Sequence, residues 1–356
     1  MNGIVEARLS NQYISREGHR RPEDVVAWFG AVQAQEYEPA KWGLGLRMRE
    51  GTVNQDVEAA FEQGRILRTH VMRPTWHFVA AKDIRWLMAL TGPRVQRAMS
   101  HYCRRLELDA RTLARGLRIV ERALADRRYL TRPELAGRLQ RAKIAVPGNR
   151  LAMIVMHAEL EAVICSGPRR GKEFTYALVA ERAPTTRSLT RDEALGELSR
   201  RYFRSHGPAT TRDFAWWSGL TTADAKRGLE MNKAVRHESG GRTYWSLEPA
   251  SSGPPRKRLV HLLPIYDEYL IAYRDREMVP HGPSEIPAGR SSVTFQHALV
   301  IAGQVAGTWR TARGPRALSL QAALLRSIKP RERRALAETV ADYERFQGVP
   351  VKLTVE

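Results

Sequence analysis

The chain has 356 residues, 43% of them hydrophobic and 27% charged, which is typical of a globular protein and excludes a disordered one. This length allows two to four domains with a full hydrophobic core. No apolar run approaches the ~20 residues that a membrane span requires, and the first residues lack the apolar core of a secretion signal. We therefore expect a cytoplasmic protein without membrane contact.

The two cysteines, Cys103 and Cys165, are too few for a disulfide framework, which fits a reducing cytosol. The chain has neither a Cys-x-x-Cys nor a His-Glu-x-x-His motif, two spacings that commonly hold zinc. We expect no bound metal and no cofactor.

The first hundred residues predict three helices followed by a β-hairpin. A proline at 22 with two acidic residues behind it is typical of a helix start. The expected helices span 4–14, 22–32 and 53–63, and the expected strands span 66–72 and 76–81 with a turn at 73–75. This order predicts a winged helix, a variant of the helix-turn-helix.

Two further stretches repeat this pattern. The second begins with a strongly periodic helix at 111–125, continues with a capping box at Thr131 and ends in a hairpin over 164–179. The third contains a candidate recognition helix at 222–231 and a hairpin that turns at Gly240. We therefore expect three tandem winged-helix units.

The composition changes after a linker at 250–255. Strands are expected at 259–264, 298–302 and 305–311, with a long loop at 274–290, a helix at 330–344 and a last strand near Val351. The expected fold is α+β and mainly helical. The predicted domains are winged helices at 1–104, 105–185 and 186–250, and a C-terminal β-rich β/α segment at 251–356.

Positive charge is concentrated in one part of the chain. The net charge is +20, and residues 85–150 hold 16 basic and 5 acidic residues, which is +11 of that total. Four arginines form a stripe along the predicted helix at 111–125, opposite its apolar side: Arg111, Arg115, Arg118 and Arg122. Such a stripe predicts salt-sensitive binding to a phosphate backbone without reading of the base sequence.

Two glutamines, Gln33 and Gln35, lie where the second predicted helix meets the turn-forming residues Pro39, Gly43 and Gly45. On a straight helix, side chains two residues apart diverge by roughly 200°. Both could reach one target only if the helix frays, which Pro39 makes plausible. From the spacing alone, two solvated glutamines at a helix end are the simpler interpretation.

Six motifs occur in order along the chain: Gln33-Ala-Gln35, Trp42-Gly-Leu-Gly-Leu-Arg47, the run from Leu67 to His77, His206-Gly-Pro208, Trp217-Ser-Gly219, and the run from Leu262 to Tyr269. Together they resemble the winged-helix DNA glycosylases of the AlkZ type, bacterial enzymes that remove bulky alkylated purines and unhook interstrand crosslinks. Each motif is weak alone, but their order over essentially the whole chain is specific.

The resemblance implies that Gln33 and Gln35 are the catalytic Gln-x-Gln motif of a monofunctional glycosylase acting on N7- or N3-alkylated purines. A sister branch carries Gln-x-Asp, so a glutamine at 35 places the chain with the members that unhook crosslinks and give resistance to natural products. A carboxamide can hold water and can donate to a sugar or phosphate oxygen. Its contribution would come from positioning and electrostatics.

The resemblance also implies a scaffold that cups the duplex and a β-hairpin that probes the minor groove. The candidates for that probe are the loop residues His281-Gly-Pro283 and the Gly303-Gln304 turn. Further candidates for DNA contact lie near the glutamines: Lys41, Arg47, Arg68, His70 and Arg73. Lys41 could instead form a Schiff base with C1′, and His70 could be a packed or a catalytic residue.

The main alternative is a non-catalytic transcription regulator built from winged helices. A regulator usually needs one such unit and a dimerisation segment, whereas three units without a heptad run can form a monomeric clamp. A nuclease or nucleotidyltransferase would need converging carboxylates for metal, and Asp267 and Glu268 are adjacent. We therefore expect a nucleoid-associated monomer that binds double-stranded DNA containing alkylated or crosslinked purines.

Overall fold

The computed structural model describes residues 3–247, 258–274 and 296–356. The expected linker at 250–255, most of the long loop and the candidate DNA-binding residue His281 lie outside these ranges. Within them, no helix is long and apolar enough to cross a membrane.

Helix α1 (Gly3–Asn11) precedes the first repeat, which has the order helix, strand, helix, helix, strand, strand. Its elements are α2 (Pro22–Phe29), β1 (Val32–Gln33), α3 (Tyr37–Gly45), α4 (Asn54–Glu62), β2 (Ile66–Val71) and β3 (Arg73–Ala80). The sheet has the order β1-β3-β2, so β1 is an edge strand.

Helix α3 replaces the turn expected around Pro39, and that expectation is wrong. Pro39 lies in the first turn of the helix, where no backbone N–H is required. The two glycines allow close packing: a Cβ on Gly45 would lie 2.5 Å from the Phe346 ring, and one on Gly43 would lie 3.3 Å from Pro264. The two glycines therefore allow α3 to pack closely against the C-terminal segment.

The hairpin turn is also tighter than expected. The chain reverses at Met72, which has a φ of 61°, and residues 73–75 already belong to β3. Arg73 thus lies on a strand beside the two glutamines.

The second and third repeats follow a connecting helix. After a short 3₁₀ turn (Ala81–Asp83) come α5 (Ile84–Arg105), α6 (Ala110–Leu124), β4 (Leu130–Thr131), α7 (Arg132–Arg141), α8 (Arg150–Leu160), β5 (Ile164–Ser166), β6 (Thr175–Leu178) and α9 (Val179–Arg182). The third repeat contains α10 (Arg191–Ser205), α11 (Thr211–Ser218), α12 (Thr222–Met231), β7 (Val235–Ser239) and β8 (Arg242–Ser246). An Ala209–Trp245 bridge takes the place of its first strand.

Local sequence signals explain many of these boundaries. The predicted capping box at Thr131 is present: the hydroxyl accepts the Glu134 N–H and the Glu134 carboxylate accepts the Thr131 N–H. The helices predicted at 111–125 and 222–231 are present as α6 and α12.

The C-terminal segment is a five-stranded sheet with a covering helix. Its elements are β9 (Val260–Leu263), α13 (Glu268–Ile271), β10 (His297–Ile301), β11 (Gln304–Arg313), β12 (Leu318–Leu324), α14 (Pro330–Gln347) and β13 (Val351–Val355). Strand order is β13-β12-β11-β10-β9, and β12 pairs with β13 in parallel.

One hydrophobic core joins this sheet to the first repeat. Residues from both, such as Phe61, Phe78 and Trp309, pack into a single cluster. A second cluster joins the 66–80 hairpin to α5 and the third repeat, and a third fills the second repeat. The first repeat therefore lies between the C-terminal sheet and the rest of the chain.

Candidate active site

Both glutamines bond to strand β3. Helix α2 ends because Gly30 turns the chain with a φ of 94°, and β1 then pairs Gln33 with His77 of β3. Gln35 lies two residues beyond Gln33, and its Oε1 accepts the backbone N–H of Trp76, also of β3. The predicted fraying of a helix is therefore wrong, since an extended edge segment brings the two carboxamides to one strand.

Gln33 is held from two sides and its residue is 8% exposed. Its Oε1 accepts a hydrogen bond from an Nη of Arg73 at 2.7 Å. Its backbone N–H donates to Oε1 of Glu268 at 2.9 Å. Because β1 is an edge strand, one of its N–H groups needs a partner outside the sheet, and Glu268 provides it.

Gln35 is half-buried, and its Oε1 accepts the backbone N–H of Trp76 at 3.2 Å. Arg68 supports the same segment from behind. Its Nε donates to the carbonyl of Ala34 at 2.9 Å and its Nη2 to the carbonyl of Gln35 at 3.2 Å. Arg68 therefore positions the motif, and its 8% exposure leaves little of it for the predicted DNA contact.

These partners fix which way each carboxamide faces. Arg73 and the Trp76 N–H are donors only, so each must meet a carboxamide oxygen and not the NH2 group. Each oxygen retains a second lone pair, and each NH2 group points away from these partners. Gln33 and Gln35 can therefore offer both donors and acceptors to a bound molecule.

A buried carboxylate, Glu268, connects three parts of the chain. It is 1% exposed, and besides Gln33 it accepts the Trp217 Nε1–H at 2.9 Å and lies 3.2 Å from Nε2 of His206. Burial alone would raise the pKa of Glu268, but hydrogen bonds from His206 and from the Gln33 N–H lower it. Burial lowers the pKa of His206, so its neutral ring donates through Nε2.

Glu268, His206 and Trp217 were absent from the residues predicted to form the site. Each lies in one of the motifs quoted above, so the signal was present without a role attached to it. The structure brings these three motifs together beneath Gln33.

The adjacent Asp267 points to a different partner. Its carboxylate accepts two hydrogen bonds from Arg47, at 2.7 and 2.8 Å. Arg47 is 2% exposed, which argues against the predicted contact with DNA. In the described ranges, no group of three His, Cys, Asp or Glu side chains is placed to hold a metal.

Lys41 is also unavailable to DNA. It is 3% exposed, and its Nζ lies 2.5 Å from a carboxylate oxygen of Glu58 and 3.0 Å from one of Glu38. This enclosure of the ammonium by two carboxylates argues against the predicted phosphate contact.

His77 faces Gln33 across the sheet and stays neutral. It is fully buried, and its Nδ1–H donates to the carbonyl of Thr75 at 2.9 Å. Burial and the charge of Arg73 lower the pKa of His77 to about 3. This ring therefore adds no second positive charge beneath the glutamines.

His70 lies on the neighbouring strand β2, with its ring 4.5 Å from that of Trp76. It pairs with Glu159 of the second repeat. The Gly303-Gln304 turn packs on helix α1, where a Cβ on Gly303 would lie 2.3 Å from Val5. That packing argues against this turn as the groove-probing hairpin.

The predicted arginine stripe is exposed along α6. Arg111, Arg115, Arg118 and Arg122 all lie at the surface. The hydrogen bonds of Arg115 and Arg122 go to backbone carbonyls, at Ala142 and Arg118. Their positive charge is thus left for solvent or for an anionic partner.

Comparison with known proteins identifies the family of the chain. The chain is 25% identical over 335 residues to an interstrand DNA cross-link repair glycosylase of Streptomyces sahachiroi, covering 85% of each chain. Its fold matches the solved structure of the Streptomyces sahachiroi DNA glycosylase AlkZ with a TM-score of 0.79 at 20% identity, over 99% of this chain and 98% of the other. The model of the AlkZ-like DNA glycosylase family matches residues 26–346. The chain belongs to the AlkZ-like family of DNA glycosylases.

Proposed function

We propose that this glycosylase hydrolyses the N-glycosidic bond of N7- or N3-alkylated purines in duplex DNA and unhooks interstrand crosslinks made through such adducts. The observation that carries the proposal is the pair of carboxamides held against strand β3, with their oxygens fixed by Arg73 and the Trp76 N–H. The name of the relative from Streptomyces sahachiroi supports the crosslink as a substrate. DNA repair would use this reaction, and so would resistance to an alkylating natural product.

The chemistry fits a site without a strong acid. Alkylation at N7 or N3 places a positive charge on the base, so the base leaves without protonation by the enzyme. The enzyme must place a water molecule and stabilise the cationic sugar in the transition state. Gln33 and Gln35 provide a lone pair on each oxygen and two NH2 donors for the water and the sugar or phosphate oxygens.

Hydrolysis would leave an abasic site without strand cleavage. A lyase reaction needs an accessible neutral lysine to attack C1′. Lys41, the lysine nearest the motif in sequence, is enclosed between Glu58 and Glu38. Its burial supports a monofunctional enzyme.

The DNA would lie along a surface that includes Arg111, Arg115, Arg118 and Arg122. We propose that the three repeats are winged-helix units at 1–104, 105–185 and 186–250, followed by the segment 251–356. Arg73, half-buried beside Gln33, would meet the DNA near the lesion. The enzyme would act as a monomer at the nucleoid.

The test is direct. The purified chain is incubated in EDTA with a duplex oligonucleotide holding one N7-alkylguanine, and free base and abasic sites are measured. Release of the free base with intact strands is expected. No release from any alkylated duplex, strong inhibition by EDTA, or borohydride trapping of a covalent complex would contradict the proposal.

A further inference from the structure

The contact between the first and second repeats includes a histidine–carboxylate pair close to Gln35. His70 of β2 presents Nδ1 to a carboxylate oxygen of Glu159 of α8. The side chain of Glu159 is 1% exposed and that of His70 is 12% exposed. One member is therefore fully enclosed, and the other retains access to solvent.

This contact determines which nitrogen of a neutral His70 carries the proton. An ionised carboxylate only accepts hydrogen bonds, so Nδ1–H donates to Glu159 and Nε2 is left with a lone pair. In the described ranges, Nε2 of His70 has no hydrogen-bond partner from the protein. A base oriented by a buried carboxylate is a recurring arrangement in catalytic sites.

The pair lies beside the proposed catalytic motif. His70 and Trp76 are partners across β2 and β3, and their ring centroids are 4.5 Å apart. The backbone N–H of Trp76 bonds Oε1 of Gln35. One tryptophan therefore separates His70 from Gln35.

Hydrolysis releases a proton that the glutamines cannot take. A carboxamide is a very weak base, so it can orient water but cannot hold the proton that water loses. Glu268 already accepts three N–H groups, and its pKa is lowered. Burial and Arg73 lower the pKa of His77 to about 3. Of these three groups, His70 is the one that retains access to solvent, since its side chain is 12% exposed.

We propose that Nε2 of His70 accepts the proton of the hydrolytic water, and that Glu159 is the positioning residue that orients it. The water oxygen forms a bond to C1′ while the C1′–N bond breaks and its electron pair neutralises the cationic base. One water proton passes to His70, either directly or through a second water, and then to solvent. This inference rests on the proposed glycosylase function.

Other ionisable groups surround the pair and would act on its titration. Arg68 and Tyr176 lie near Glu159, and His77 lies near His70. Arg68 remains cationic over the working range and Tyr176 has a raised pKa through burial, so neither titrates near neutral pH. His77 stays neutral down to a pH of about 3.

The test measures single-turnover base release from an N7-alkylguanine duplex between pH 5 and 8, together with DNA affinity. His70→Gln should lower the rate by roughly 10² and flatten its dependence on pH, with affinity unchanged. Glu159→Gln retains an acceptor for Nδ1–H but removes the charge that favours a protonated ring. Its rate should fall about 10-fold, with the acid limb displaced to lower pH.

Matched controls separate this role from folding and from DNA binding. Glu161→Gln removes an exposed carboxylate just after the same helix, and His237→Gln removes an exposed histidine from β7. Both should keep the wild-type rate and profile. An inactive wild type would overturn the glycosylase proposal itself. If the wild type is active and His70→Gln keeps its pH–rate profile, His70 is not the proton acceptor. A parallel loss of rate and DNA affinity in both variants would also overturn that role, without affecting the glycosylase proposal.

Discussion

The guanidinium of Arg73 donates to Oε1 of Gln33 at 2.7 Å, although the two residues are 40 positions apart in sequence. Because Arg73 can only donate, it decides which end of the carboxamide faces away from β3. Arg73 is therefore better described as the residue that orients Gln33 than as a phosphate contact alone.

Replacing Arg73 tests this orientation. Arg73→Gln should allow the Gln33 amide to rotate and should lower the single-turnover rate by about 10- to 100-fold. Arg73→Lys keeps a donor for Oε1 and should recover part of that loss. Arg345→Gln, which removes an exposed arginine of α14, should change neither rate nor affinity. Equal affinity losses in both Arg73 variants without a rate effect would make Arg73 a DNA contact only.

Gln35 is expected to act in the transition state. Gln35→Ala removes the carboxamide but keeps the backbone carbonyl that Arg68 bonds. The single-turnover rate should fall by about 10- to 10³-fold with DNA affinity nearly unchanged. Gln35→Asp should retain activity, as expected from the sister branch with Gln-x-Asp. Full activity of the Gln33→Ala/Gln35→Ala double variant would place the active site elsewhere.

The exposed arginines of α6 should set the salt dependence of DNA binding. Replacing Arg111, Arg115, Arg118 and Arg122 with Gln should reduce the slope of log affinity against log salt by about one unit for each lost phosphate contact. Fluorescence anisotropy at several salt concentrations measures this slope.

Helix α14 offers a control with the same change of charge. The control variant replaces four of its exposed arginines with Gln: Arg331, Arg333, Arg334 and Arg345. If the α6 arginines bind phosphates, the α14 variant should reduce the salt slope much less than the α6 variant does. Equal slopes in the two quadruple variants would mean that only net charge matters.

Glu268 should contribute stability that depends on pH. Glu268→Gln places an NH2 group against N–H donors from Gln33, Trp217 or His206, and should cost about 3 kcal/mol of unfolding free energy. The folded-state pKa of Glu268 is lowered, so its stabilisation is fully present above the unfolded value of about 4.5 and is lost as pH falls through the lower folded value. Urea unfolding of both proteins between pH 3 and 7 measures the difference. A constant difference across that range would contradict the lowered pKa.

Local patterns predicted the parts of the fold that local interactions determine. The capping box at Thr131 and the arginine stripe of α6 are set by residues a few positions apart, and both are as expected. The sequence did not predict helix α3, because Gly45 was interpreted as a turn residue. In the structure Gly45 lies in the helix and allows close packing of the Phe346 ring, about 300 residues later in the chain. Nothing near Gly45 in sequence indicates that contact.

The same distinction applies to the candidate site. A short motif drew attention to Gln33 and Gln35, but the charge of Lys41 gave no sign that Glu58 would enclose it. Glu268 has an N–H partner 235 residues away, which no local pattern indicates. Contacts between distant segments therefore decide which charged residues can reach DNA and which support the motif.

The edge position of β1 has a consequence for synthesis of the enzyme. The strand that carries Gln33 is translated before its partner, because the carboxylate that completes it follows 235 residues later. Phe346 and Trp309, which share a hydrophobic core with the first repeat, emerge later still. A nascent chain thus displays its arginine-rich helix α6 before Gln33 has its carboxylate partner, so the site around Gln33 is assembled only after the segment that carries Glu268 has been translated.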